Sequence, residues 1–275
     1  MSDLTRIPPI PESWDPNRDT HDDYRRAVED AILNHPRSLQ TAIGPSEIGA
    51  PCTRKLAYKL LGTPKRALPP NWRATAGTGI HMWMEDAFDR ANLTWAAHNG
   101  NQGVERYLIE ERVNVGSHLN GEPITGSCDL YDRLTQTVID HKTCTKTRLA
   151  TFKASGPPDV YRVQANLYGL GWVRAGFPVR HVAISFLPRD GELRDAYWWQ
   201  DTFNPVIAAE ALKRLHGIET AIQALGNQAP AALPTADDYC GNCPFYKANS
   251  TDLSQGCPGH PGAVQEQQPA LSLSA

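Results

Sequence analysis

No stretch of this 275-residue chain approaches the run of about 20 apolar residues that a membrane-spanning helix needs, so no membrane partner is expected. The first residues, MSDLTRIPPIPESWDPNRD, hold no apolar signal core, and a cytoplasmic protein is expected on that ground. Positive charge is in no surplus either. The formal net charge of -3 excludes strong generic attraction to nucleic acid and leaves any such binding to local patches. There is no internal repeat, which argues against a solenoid or a propeller.

What the chain does have is the composition of a soluble globular protein, with 40% hydrophobic and 21% charged residues. A mass of 30.3 kDa suits one large domain, or one domain with a small annex. Its charge is segregated. Arg54 to Arg73 carries six basic residues and no acidic one, Lys142 to Lys153 carries four more, and acids gather between Asp15 and Asp30. Such segregation is compatible with a nucleic-acid groove on a nearly neutral protein, and equally with a solvated face.

The stretch ITGSCDLYDRLTQTVIDHKTC, Ile124 to Cys144, reads as a hairpin. Ile124 to Tyr131 and Thr137 to Lys142 are its strands, and Asp132, Arg133 and Gln136 are turn residues. On a strand Asp140 and Lys142 share a face, and Asp129 ends the neighbouring strand. Two carboxylates and an ammonium around one point suit a hard divalent cation and an oriented water. An isolated Asp-x-Lys recurs by chance, and alone it reads as turn residues beside an edge charge.

Taken in order, residues 1–45 read as a Pro-rich arm and a short helix, Asp22 to Leu33. A helix from Cys52 to Leu61 carries Arg54, Lys55 and Lys59 on a basic face, within a basic segment at 46–76. Gly77 to Ala97 reads as a longer helix whose apolar face holds Ile80, Trp83, Met84, Ala87, Phe88 and Ala91, with His81 and Glu85 sharing a face. A lone His81 reads as a packing histidine. Arg106 to Val115 is a strand, Lys146 to Gly156 a polar basic connection, and Val160 to Ala175 an apolar helix aligning Gln164 with Tyr168. Val179 to Leu187 and Glu192 to Gln200 are a second strand pair. Asn204-Pro205 caps a helix from Val206 to Leu225. Residues 77–230 form the expected core, 231–260 a cysteine loop, and 261–275 a tail expected to be disordered.

Six cysteines are present. Cys240, Cys243 and Cys257 cluster as C-x2-C with a third cysteine fourteen residues on, in a Gly/Pro-rich loop that does not suit a thioredoxin-like motif. Three thiolates call for a fourth ligand, either His260 in a Cys3His zinc site or the distant Cys52; Cys128 and Cys144 read as small packing residues.

Together these residues resemble the RecB-like nucleases of the PD-(D/E)XK superfamily, and within it the iron–sulfur members typified by the CRISPR-associated fourth Cas exonuclease and its phage-encoded relatives. The resemblance covers Ser46 to Pro258. It rests on Cys52-x-Arg54-Lys55, Gly77 with His81, Gly126 with Asp129, Asp140 with Lys142, Gln164 with Tyr168, and the closing cysteines. Two departures stand out: Asp140 where the family often has Glu, and a longer gap before Cys257.

The resemblance implies a restriction-endonuclease-like α/β fold, a mixed central sheet flanked by helices, with an annex built from both chain ends. It implies Mg²⁺- or Mn²⁺-dependent hydrolysis of DNA, chiefly at single-stranded ends. His81, Asp129, Asp140 and the His141 carbonyl would ligate the metal, and Lys142 would position water. Gln164 and Tyr168 would orient Lys142 and the phosphate, while Arg54, Lys55, Lys146 and Arg148 would hold the DNA backbone. Cys52, Cys240, Cys243 and Cys257 would hold a 4Fe-4S cluster. Partners in CRISPR adaptation or recombination are expected; the rival reading is a non-catalytic, cluster-containing binding module in such a complex.

Overall fold

The structure, a computed structural model, describes residues 19–36, 40–100, 103–236 and 239–261. The expected N-terminal arm, apart from its helix, and the expected disordered tail lie outside those residues. Two compact units are present, one comprising residues up to 40 with 70–72, the other residues 41–69 and 73 onward.

The first unit contains helix α1 (Thr20–Leu33), close to the expected span. Asp19 caps it, its carboxylate accepting the main-chain N–H groups of His21 and Asp22 at 2.9 and 3.1 Å. No residue of α1 is buried.

The second unit is a mixed five-stranded sheet flanked by helices. Its strands are β1 (Tyr107–Ser117), β2 (Pro123–Asp132), β3 (Thr137–Cys144), β4 (His181–Pro188) and β5 (Tyr197–Thr202), and they lie side by side in that order. All neighbours are antiparallel except β3 and β4. A parallel pair needs a crossover, and the chain supplies it with α5 (Lys146–Ser155) and α6 (Asp159–Arg174). Before the sheet come α2 (Pro45–Ile48), α3 (Thr53–Leu60) and α4 (Trp72–Asn99); after it come α7 (Pro205–Leu225) and the single turn α8 (Ala229–Ala232).

The larger core joins Val113, Val115, Val138, Val182, Ile184 and Phe186 of the sheet to Ala165, Leu167 and Trp172 of α6 and Leu212, Leu215 and Ile218 of α7. Each such Val, Leu, Ile or Phe side chain contributes about 1.5–3 kcal/mol by leaving water. A smaller core on the opposite face joins Leu130, Ile139 and Ala183 to Phe88 of α4.

Three readings of the sequence are corrected. The stretch after Lys146 is a helix, not a connection. Thr145 accepts the Arg148 N–H at 3.4 Å, Leu149 and Phe152 bury one turn apart, and Gly156 ends it at φ 77°. The strand expected from Glu192 begins only at Tyr197, because Leu193–Asp195 form a 3-10 turn closed by the Asp195 carboxylate on the Glu192 N–H. Trp83, placed on the apolar face of its helix, is 64% exposed. That helix turns Gly77 and Asn92 inward instead, with Asn92 bonded to the main chain of Arg106 and Tyr107.

Candidate metal centre and thiol cluster

The site begins where β2 and β3 part. They pair only at Leu130–Ile139, Tyr131–Val138 and Asp132–Thr137. Beyond that point β2 continues with β1 and β3 with β4, so a fork opens between Asp129 and Asp140. With the ladder ended, the His141 N–H takes a side-chain acceptor, Asp129 Oδ2, at 2.6 Å.

His81 of α4 reaches the same carboxylate, its Nδ1 3.5 Å from Asp129 Oδ1. Gly77, one turn earlier, permits this approach, since a Cβ there would lie 3.0 Å from Thr143 Oγ1. Glu110 of β1 completes the group. Donor atoms of His81, Glu110 and Asp129 lie within 4.8 Å of one another. Glu110 has φ 51°, a left-handed backbone in mid-strand that a residue with a Cβ rarely adopts.

Asp140 lies beside this group, on the α6 side. It is fully buried, with Gln164 Nε2 donating to Oδ1 at 2.8 Å and Lys142 Nζ 2.7 Å from Oδ2. The two charges form a buried ion pair. Lys142 Nζ lies over the Tyr161 ring, 5.1 Å from its centroid. Gln164 thus orients the Asp140 carboxylate, which in turn pairs with Lys142, the amine named in its expected role. Tyr168 is buried against β2, and Gly126 leaves it room: a Cβ there would sit 2.7 Å from Pro45 Cδ and 3.1 Å from Tyr168 Oη.

The electrostatics follow from burial and these pairings. Burial pushes the Asp140 carboxyl up to about 6, against the opposing pull of Lys142. Burial also acts to raise Asp129, but the bond and charge of His81 bring it below the usual carboxylate range. The same bond raises His81. Lys142 stays charged, because Asp140 and Asp129 outweigh its desolvation. Burial lowers the His141 imidazole to about 4, leaving it neutral near pH 7. The clustered imidazole and carboxylates of His81, Glu110 and Asp129 are a set of hard donors that fits a divalent cation.

A second constellation lies at the chain ends. Cys52, the N-cap of α3, lines one small cavity with Cys240, Cys243, Cys257 and His260. Main-chain N–H groups point at the sulfurs, Gly259 to Cys257 at 3.4 Å and His260 to Cys240 at 3.3 Å, with Arg54 Nη1 3.9 Å from Cys257. Tyr58 stacks on Phe245 at 5.5 Å and donates to the Leu253 carbonyl at 2.6 Å. Arg214 of α7 fixes the approach to Cys52 by donating to the carbonyls of Ile48 and Ala50 at 3.1 and 2.7 Å. Cys128 and Cys144 are buried in the main core.

The residues expected to hold DNA divide. The Arg54 guanidinium is committed to the Leu233 carbonyl, at 3.3 and 3.1 Å, and to Cys257, so it fastens the annex. Lys55 lines the thiol cavity. Lys146 pairs with Asp195 at 3.2 Å, and Arg148 donates to Tyr239 Oη at 3.1 Å, beside Cys240. Glu110 was missed from the sequence. Its signal was the adjacent pair Glu110-Glu111, which breaks the alternation of the strand YLIEERVNV.

No protein-family model and no curated protein matches this sequence. Among solved structures the chain is similar to one designated SSO0001, at 14% identity over 82% of this chain and 93% of that one, with a TM-score of 0.42. It is also similar to a phage-related exonuclease from Haemophilus somnus 129PT, at 17% identity over 63% and 89% of the two chains and a TM-score of 0.38. An alkaline exonuclease from Laribacter hongkongensis gives 11% identity over 75% and 99%, with a TM-score of 0.39. Likeness at that level assigns neither activity nor site residues to this chain. Among the described residues, no helix is long and apolar enough to cross a membrane.

Proposed function

We propose that this protein is a divalent-metal-dependent nuclease that hydrolyses DNA phosphodiesters, acting chiefly on single-stranded ends. The observation that carries the reading is the convergence, at the β2–β3 fork, of His81, Glu110 and Asp129 with the buried Asp140–Lys142–Gln164 group. His81, Glu110, Asp129, Asp140 and the His141 carbonyl are the groups that would hold Mg²⁺ or Mn²⁺. Such an ion would polarise the scissile phosphate and lower the pKa of a bound water.

The protein's own groups do the rest. Gln164 fixes Asp140 through Oδ1, which leaves Oδ2 turned toward Lys142. Lys142 Nζ, tethered by Asp140 and supported by Tyr161, holds a water or a phosphate oxygen in place. The neutral His141 and Phe88, stacked at 5.9 Å, form the α4 side of the fork.

The same reading gives Cys52, Cys240, Cys243 and Cys257 a 4Fe-4S cluster. Donors aimed at the sulfurs suit thiolates.

Titration of Mn²⁺ into anaerobically purified protein tests the metal centre. Wild type should bind with a heat that Asp129→Ala and Glu110→Ala both abolish. Unchanged binding in those variants removes the site.

A further inference from the structure

On the α4 face of the sheet, a cavity of about 530 Å³ runs from the β2–β3 turn to His141. Its volume is in the range of small-ligand sites. Phe88 and Tyr107 form one wall and Trp198, on the edge strand β5, the other. Trp198 is 49% exposed, and its indole N–H is anchored on Gln200 Oε1 at 3.1 Å.

The polar groups are unevenly satisfied. Asp132 lines the cavity, but both its oxygens are held by Arg106, at 3.0 and 2.8 Å, so its charge is already met. Arg180 is exposed at the mouth, and among the described residues its guanidinium has no hydrogen-bond or ion-pair partner. His181, beside it in the lining, has a buried Nδ1 with no hydrogen-bond partner.

We infer that this cavity binds a nucleoside monophosphate unit, with the base between Trp198 and the Phe88–Tyr107 wall and the phosphate on Arg180. Flat rings and a guanidinium with no partner among the described residues match a base and its phosphate. His141 forms a shared wall: it lines this cavity and stands 6.0 Å, ring to ring, from His81. The unit is therefore either the end nucleotide of a strand whose backbone reaches the fork, or a mononucleotide released there. The inference rests on the nuclease reading only for the source of the ligand.

Titrating the four deoxynucleoside 5′-monophosphates into the full-length, anaerobically purified protein in EDTA reads binding without cleavage. At least one should bind saturably and quench tryptophan fluorescence. Arg180→Ala and Trp198→Ala, both at exposed positions, should each weaken it about tenfold or more. A 5′-phosphorylated oligonucleotide that binds more tightly, and loses the gain in Arg180→Ala, identifies the strand end as the occupant; equal affinity identifies the free mononucleotide. No saturable binding by any of the four, or affinities unmoved by both substitutions in variants that melt like wild type, overturns the site. Binding in a preparation that cleaves no DNA keeps the cavity and removes the nuclease reading; cleavage without binding does the reverse.

Discussion

Glu110 stands across the β1–β2 ladder from Asp129, and both strands exchange faces at that pair. Ile109 and Leu130 pair and pack in the small core on the α4 side, Ile109 half-buried, whereas Val113 and Cys128 bury in the large core on the other side. In an unbroken strand, positions two or four apart share a face. Because both strands reverse together, the pairing register survives, and Glu110 and Asp129 are brought together with His81.

The left-handed backbone of Glu110 carries a cost of about 1–3 kcal/mol, which the fold sustains for the position of one carboxylate. Glu110→Gly should therefore melt no lower than wild type and lose both Mn²⁺ binding and cleavage. Differential scanning calorimetry beside a Mn²⁺ titration checks this. A variant that is destabilised yet still binds metal would assign Glu110 a structural role.

The sequence showed the strands, the helices and the fork residues that sit in recognisable patterns. It did not show the exchange of faces at Glu110, because alternation is read strand by strand and this reversal exists only across a pair. Helix α5 was hidden by its polarity; only Leu149 and Phe152 face inward, so the apolar stripe is one turn long. Arg54 read as a DNA contact because its basic run is visible in sequence, while the Leu233 carbonyl that holds it lies 179 residues away. The orientation of Gln164 toward Asp140 is likewise a tertiary fact, set by how α6 crosses β3.

Asp140 and Lys142 form a buried pair, so removing one partner leaves the other charge uncompensated. Asp140→Ala should cost about 3–5 kcal/mol as well as abolishing cleavage. Asp140→Ala combined with Lys142→Met should regain most of that stability and none of the activity. Urea unfolding of the two singles and the double decides. Additive losses would show that the pair is not coupled.

Arg106 holds Asp132 through both oxygens, and Thr135 and the Leu134 N–H add two further bonds. Burial opposes ionisation, but the Arg106 bond leads the groups that hold the Asp132 carboxyl below its usual range. A depressed folded value contributes stability above the unfolded pKa of about 3.9, and that contribution is lost as pH falls through the folded value. Asp132→Asn should lower the urea midpoint at pH 7 and narrow its difference from wild type toward pH 3. A difference constant across that range would exclude the linkage.

The annex should act as a clasp between chain ends, since Cys52 lies 188 residues before Cys240. Anaerobic protein should be brown and carry about four irons. Cys52→Ala should bleach it, and Arg54→Met, which replaces no cysteine but removes the guanidinium beside Cys257, should accelerate cluster loss in air. One equivalent of zinc, released by His260→Ala and not by Cys52→Ala, would replace the cluster with a zinc site.

The most direct test of the central claim is cleavage of an end-labelled single-stranded DNA by anaerobic protein, with Mn²⁺ or with EDTA, for wild type and Lys142→Ala. The account predicts Mn²⁺-dependent release of label by wild type, none in EDTA, and a loss of about 10² or more in rate for Lys142→Ala at saturating metal. Cleavage that survives in Lys142→Ala at the wild-type rate, or no cleavage by intact wild-type protein under any divalent metal, would contradict it.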